Sequence, residues 1–206
     1  MSNATTLRIS ARQLADAAYR ALRVAGIPSG PAADAARDAV ELERRRGRGL
    51  EVLDRILETG GGPLLMSCEA DGAGTSLDAR GVSALLLAVP LVALACEAAP
   101  SPLIIRELAH CAALEPALTR RARAEHRRFV ISAGDRTPVL RVEPTDSAID
   151  AGWSAAWDLP LDVHLTVEAA RTSHPHIRAG SSADRPLMVA AQCWERLSKR
   201  AAPYLV

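Results

Sequence analysis

Residues 102–134 read PLIIRELAHCAALEPALTRRARAEHRRFVISAG, and this stretch decides the fold class. Leu103, Ile104 and Ile105 form a short apolar run of strand type. Glu115 to His126 has the spacing of a helix, with Pro116 in its first turn, where a missing N–H costs nothing. Phe129, Val130 and Ile131 are a second β-branched and aromatic run. A strand, a helix and a strand in thirty-odd residues predict an α/β layer.

Working outward, Gly81 to Ala98 reads as a buried helix bent or started at Pro90. Leu64 to Cys68 reads as a strand and Asp71 to Gly74 as a loop. Downstream, Gly134-Asp135 is a turn into Val139–Val142, which completes a hairpin with the strand before it. Leu161, Val163, Leu165 and Val167 alternate with Asp162, His164 and Thr166, the pattern of a half-exposed strand. Residues 171–185 are polar and read as a loop, and Pro186 to Arg200 reads as the last helix.

The first sixty residues are different in kind. Ser10 and Gln13 have the spacing of a capping box, and Leu14, Ala17, Ala18, Ala21 and Leu22 follow at helical intervals up to Gly26. After the turn Ile27–Gly30, a second helix runs from Pro31 to about Arg46 and stops at Gly47. Leu50, Leu53, Ile56 and Leu57 make a third, ending at Gly60. The expectation is an α/β (α+β) protein, one domain over 1–206, with a three-helix cap (1–60) packed on a mixed sheet with flanking helices (61–206).

Composition bounds the function. Apolar residues are 49% and charged residues 24% of 206, which is ordinary for a globular chain. Lys plus Arg is 25 against 24 Asp plus Glu, so no charge excess points to nucleic acid. The aromatic content of 3% supplies no stacking platform for bases. The longest apolar run, Val82 to Cys96, is shorter than the roughly 20 residues that span a bilayer. Met1 to Ile9 has no apolar core of a signal peptide, so a cytoplasmic location is expected. Cys68, Cys96, Cys111 and Cys193 show no CxxC pair and read as buried thiols, and no metal site is expected.

Among the five histidines, His110 stands out. It follows a strand and precedes a helix, where open α/β sheets place ligands, and an imidazole there can give or take a proton near neutral pH. Arg106 on the same strand, and Arg45 and Arg48 at the end of the second helix, are candidates to hold a small carboxylate. Cations at a helix C-terminus are also favourable without any ligand. His174-Pro175-His176 is a solvated loop with no third metal ligand but Asp184. Ser132, Asp135 and His126 are close in sequence but split by a strand and a turn, so no triad is expected.

Two resemblances follow from longer stretches. The segments ISARQLADAAYRALRVAGIPSGPAADAARDAVELERRRGRGLEVLDRIL and LSKRAAPYLV resemble a family of small bacterial proteins of unknown function. More distantly, the chain is similar to the non-Rossmann malate/L-lactate dehydrogenases. Gly26-Ile27-Pro28 matches that family's G-[IV]-P turn between two amphipathic helices, and His110 falls on the His of its NSNHFG segment. The resemblance implies NAD(P) as the cofactor and a dimer. Where the family carries RGxxSHG, this chain has Arg46-Gly47-Arg48-Gly49-Leu50-Glu51-Val52, and Glu107, Leu108 and Ala109 replace the residues before the second His. The reading is thus a non-catalytic binding or accessory subunit on a malate/lactate-dehydrogenase-like scaffold. The alternatives are a small oxidoreductase acting on a 2-oxo or 2-hydroxy acid with His110 as proton donor or acceptor, and a structural homodimer. A homodimer or a partner protein is the expected assembly, with no nucleic acid and no membrane.

Overall fold

A computed structural model describes residues 5–60, 67–71, 74–133, 137–145, 147–149, 159–170 and 185–205. In chain order the elements are β1 (Thr6–Ile9), α1 (Ala11–Val24), α2 (Ser29–Arg46), α3 (Gly49–Glu58), β2 (Ser67–Asp71), β3 (Gly74–Asp78) and α4 (Ala84–Ala98). These are followed by β4 (Leu103–Leu108), a 3-10 turn (Cys111–Leu114), α5 (Glu115–Glu125), β5 (Arg127–Ala133), β6 (Thr137–Val142) and β7 (Ser147–Ile149). The chain closes with β8 (Leu161–Ala169), β9 (Leu187–Ala190), α6 (Ala191–Ala201) and a terminal 3-10 turn (Ala202–Leu205).

The chain divides into two compact units, residues 1–63 with 179–206, and residues 64–178. In the first unit α1 begins at the expected capping box. Ser10 Oγ accepts from Gln13 N at 3.1 Å, and Gln13 Oε1 accepts from Ser10 N at 2.8 Å. The buried face of α1 is Leu14, Ala18, Ala21 and Leu22, against the alanine stripe Ala32, Ala35, Ala36 and Ala39 of α2. Gly47 ends α2 in the left-handed conformation that favours glycine (φ 65°). The last helix is shorter than the sequence suggests, because Leu187–Ala190 is a strand. It pairs antiparallel with β1, Leu7 opposite Val189. α6 then packs on α1 and α3 within this unit. Its Arg196 Nε lies 2.9 Å from the buried carboxylate of Asp54 on α3.

The turn from α2 to α3 is built on one carboxylate and one glycine. Glu43, 8% exposed, accepts from Leu50 N at 2.9 Å and from Gly49 N, which satisfies donors that the start of α3 leaves open. A Cβ on Gly49 would run into the Ala39 carbonyl oxygen and lie 2.8 Å from Glu43 N.

The second unit is a mixed sheet of seven strands in the order β2-β3-β4-β8-β5-β6-β7. Among the described strands β3 and β4 are the parallel pair, and α4 is the crossover such a pair requires. α4 and α5 lie on one face of the sheet and bury Leu77, Leu103, Ile105, Val163, Leu165, Phe129, Ile131 and Leu140. The alternation read from Leu161 to Val167 is present, and β8 is an interior strand between β4 and β5. The expected hairpin is the antiparallel pair β5–β6. The helix read from Gly81 starts three residues later, capped by Ser83, and continues through Pro90. β3 was not expected from the sequence, nor was β7. The 64–66 part of the expected strand, the Gly134-Asp135 turn and the 171–184 loop lie outside the described residues. No helix among the described residues is long and apolar enough to cross a membrane.

Two outcomes follow for the α2–α3 turn. Gly49→Ala must push the helices apart, with a loss of about 1–3 kcal/mol in stability, read as a lower urea midpoint. Burial is the largest cause raising the Glu43 carboxyl above its ordinary value. Folding therefore favours the protonated form. The stability linked to this proton is complete below the unfolded carboxylate value and is lost as pH rises through the folded one. Comparing urea midpoints across that range, Glu43→Gln should remove this part of the pH dependence.

Candidate functional site

The parallel pair continues beyond its strands as a backbone zipper. Ala79 N bonds to Arg106 O at 2.9 Å, Gly81 N to Glu107 O at 2.8 Å, Ala109 N to Val82 O at 3.2 Å and Ala84 N to Ala109 O at 2.7 Å. The last of these satisfies one of the open donors in the first turn of α4. The register of β4 against β8 shifts between Ile105 and Leu108. Glu107 absorbs the shift with φ 50°, its N–H given to Asp162 Oδ1 at 2.9 Å. This bulge returns Leu108 to the core and exposes Arg106 and Glu107.

His110 follows at once in the left-handed conformation (φ 52°, ψ 42°) and opens the 3-10 turn, its carbonyl accepting from Ala113 N at 2.8 Å. Its Nδ1 lies 3.0 Å from Ser83 Oγ. Ser83 is the N-cap of α4, and its Oγ accepts from Leu85 N at 3.3 Å. The hydroxyl has a second lone pair and a proton for Nδ1, and the imidazole tautomer sets which of the two groups donates. His110 is 8% exposed and Ser83 5%. The imidazole therefore joins the end of β4 to the start of α4.

The predicted residues fall in two groups. His110 and Arg106 share the C-terminal end of β4, Arg106 opposite Asp78 in register. Arg45 and Arg48 belong to the other compact unit. Arg45 Nε lies 2.6 Å from Glu41 Oε1, and Arg48 Nε lies 3.2 Å from Glu51 Oε2. Each already has a carboxylate of its own helix or the next. His126 is the left-handed stop of α5, its N–H bonded to Ala122 O, and Ser132 is an inner residue of β5. Asp135, His174, His176 and Asp184 lie outside the described residues. Sequence reasoning missed Ser83. Its signal was a serine directly before a long apolar helix, the N-cap position. Neither the cavity of about 290 Å3 beside Cys96 nor that of about 310 Å3 beside Trp194 is lined by His110, Arg106, Arg45 or Arg48.

Ser83→Ala removes the cap and leaves a buried ring nitrogen without this partner. It should cost about 1–3 kcal/mol, measured by chemical denaturation.

No family model and no curated protein matches the sequence. Solved structures do match in fold. A dehydrogenase from Sinorhizobium meliloti aligns at a TM-score of 0.64 and 10% identity, covering 96% of this chain and 100% of that one. A malate dehydrogenase from Entamoeba histolytica aligns at 0.52 and 13%, covering 95% and 62%. A sulfolactate dehydrogenase from Methanocaldococcus jannaschii aligns at 0.50 and 14%, covering 62% and 40%. The chain thus spans the whole of the first, 62% of the second and 40% of the third. The nicotinamide chemistry that the sequence resemblance implies needs a proton donor beside the reacting carbonyl. Of the residues that the sequence resemblance sets against that family's Ser-His pair, Leu50 is buried with its N–H on Glu43, and Glu51 is paired with Arg48 and Arg55. Those residues do not fit that role. The chain has the fold of the malate/lactate-dehydrogenase-like structures.

Proposed function

We propose that the chain is a non-catalytic binding or accessory subunit built on a malate/lactate-dehydrogenase-like scaffold. The observation that carries this reading is the position of His110. Its ring is almost wholly covered, and Nδ1 is committed to the cap of α4. A general acid must reach a bound substrate within hydrogen-bond distance, and a ring that closes a helix start is placed for packing instead. Glu51 supports the same reading. A salt-bridged carboxylate accepts hydrogen bonds and supplies no proton to a carbonyl.

The test uses the purified chain with NADH or NADPH and a panel of 2-oxo acids. The expected result is no oxidation of either nicotinamide, no rise in melting temperature with either, and a lower melting temperature for His110→Ala. Steady oxidation with one of the acids, abolished by His110→Ala in a folded variant, would overturn the proposal. It would establish the oxidoreductase alternative, with this imidazole as the proton donor.

A further inference from the structure

The sheet face turned away from α4 and α5 carries three polar side chains that the site above does not use. On the helix-covered face lie Ile105, Ile131, Val163 and Leu165. Their neighbours along each strand point the other way, because side chains alternate across a strand. Ile104 of β4 stands opposite His164 of β8, and His164 stands opposite Ser132 of β5. Residues directly opposite share a face, with Cβ atoms about 5 Å apart. Arg106, two residues beyond Ile104, is the diagonal neighbour of His164 at about 7–8 Å, within reach of a long side chain. Three adjacent strands thus bring Arg106, His164 and Ser132 to one patch.

These side chains lack partners of their own. Ser132 is only 9% exposed, yet no described residue hydrogen-bonds its hydroxyl. His164 is half-buried, and no described residue bonds its ring. Arg106 is exposed, with no carboxylate paired to it among the described residues. The surrounding charges are engaged elsewhere. Asp162 Oδ1 accepts from Glu107 N at 2.9 Å, and Glu107 itself leaves the strand pattern at the bulge with φ 50°. Asp78, opposite Arg106 in register, lies 3.6 Å from Arg80 Nε. Arg128 is held between Glu143 at 3.1 Å and Glu168 at 3.3 Å. Native proteins leave few covered polar groups unsatisfied, so the Ser132 hydroxyl calls for a partner. One unpaired guanidinium beside an imidazole and a hydroxyl suits a ligand with a single negative charge and a second polar group.

We propose that Arg106, His164 and Ser132 bind a small monocarboxylate with a hydroxyl at the far end of a short chain. The guanidinium takes the carboxylate in its fork, the bidentate geometry that the two groups share. The ligand hydroxyl meets His164 and Ser132, which can each give or accept a hydrogen bond. The diagonal spacing of about 7–8 Å between the two ends suits a chain of about four carbons. No bond is made or broken. This ligand goes beyond the reading of the chain as a binding subunit, and its test uses no nicotinamide, so either can fail alone.

The test titrates the full chain with 4-hydroxybutyrate, with butyrate and with uncharged 4-hydroxybutanamide. Binding is followed by NMR of the histidine rings, and His164→Gln identifies the His164 resonance. The expected result is saturable binding of 4-hydroxybutyrate that shifts this resonance. Butyrate should bind about threefold more weakly and the amide at least about tenfold more weakly, the orders expected for a neutral and a charge-assisted hydrogen bond. Arg106→Gln, a change at an exposed position, should weaken 4-hydroxybutyrate by about the same tenfold. Ser132→Ala should narrow the gap between 4-hydroxybutyrate and butyrate. No saturable binding, equal affinity for the amide, or an unchanged affinity in Arg106→Gln would each overturn the proposal.

Discussion

The sheet unit depends on how the parallel pair β3–β4 is closed. Antiparallel neighbours can be joined by a short turn, but β3 and β4 need α4 as a crossover. The crossover begins where the two strands end. Four backbone hydrogen bonds carry the pairing past the strands into the first turn of α4. The Ser83–His110 contact adds a side-chain lock at the same point. Without it, the buried Ser83 hydroxyl and the buried imidazole would each lose this hydrogen bond, which costs more than an exposed hydrogen bond contributes.

Much of the molecule was legible because its signals are local. The Ser10–Gln13 box and the glycine after Arg46 are read within a single turn, and both stand where the spacing placed them. The alternation along β8 is likewise local. Its place between β4 and β5 is not, since strand order is set by contacts distant in sequence. β1 and β9 show the same limit. Each has four residues, and each is a strand only because it pairs with the other across almost the whole chain. Leu187–Ala190 also runs directly into α6, so helical periodicity absorbed it.

The candidate site divides along the same line. The position of His110 after a strand was readable, but what its ring does was not. That depends on Ser83, which precedes it by a whole helix and is brought back by the crossover. The arginines were chosen for charge. The structure gives Arg45 and Arg48 carboxylates of their own and places them in the other compact unit from His110. At the start of α3, the residues that the sequence resemblance sets against that family's Ser-His pair make local contacts. Leu50 gives its N–H to Glu43, and Glu51 is held between two arginines.

The account rests on the imidazole of His110 as a tie between the end of β4 and the start of α4. A double-mutant cycle on Ser83→Ala and His110→Ala, read by chemical denaturation, measures that tie directly. The account predicts a coupling of about 0.5 kcal/mol or more between the two positions. Additive losses, agreeing within about 0.3 kcal/mol, would contradict it, because residues that do not depend on each other show no interaction energy.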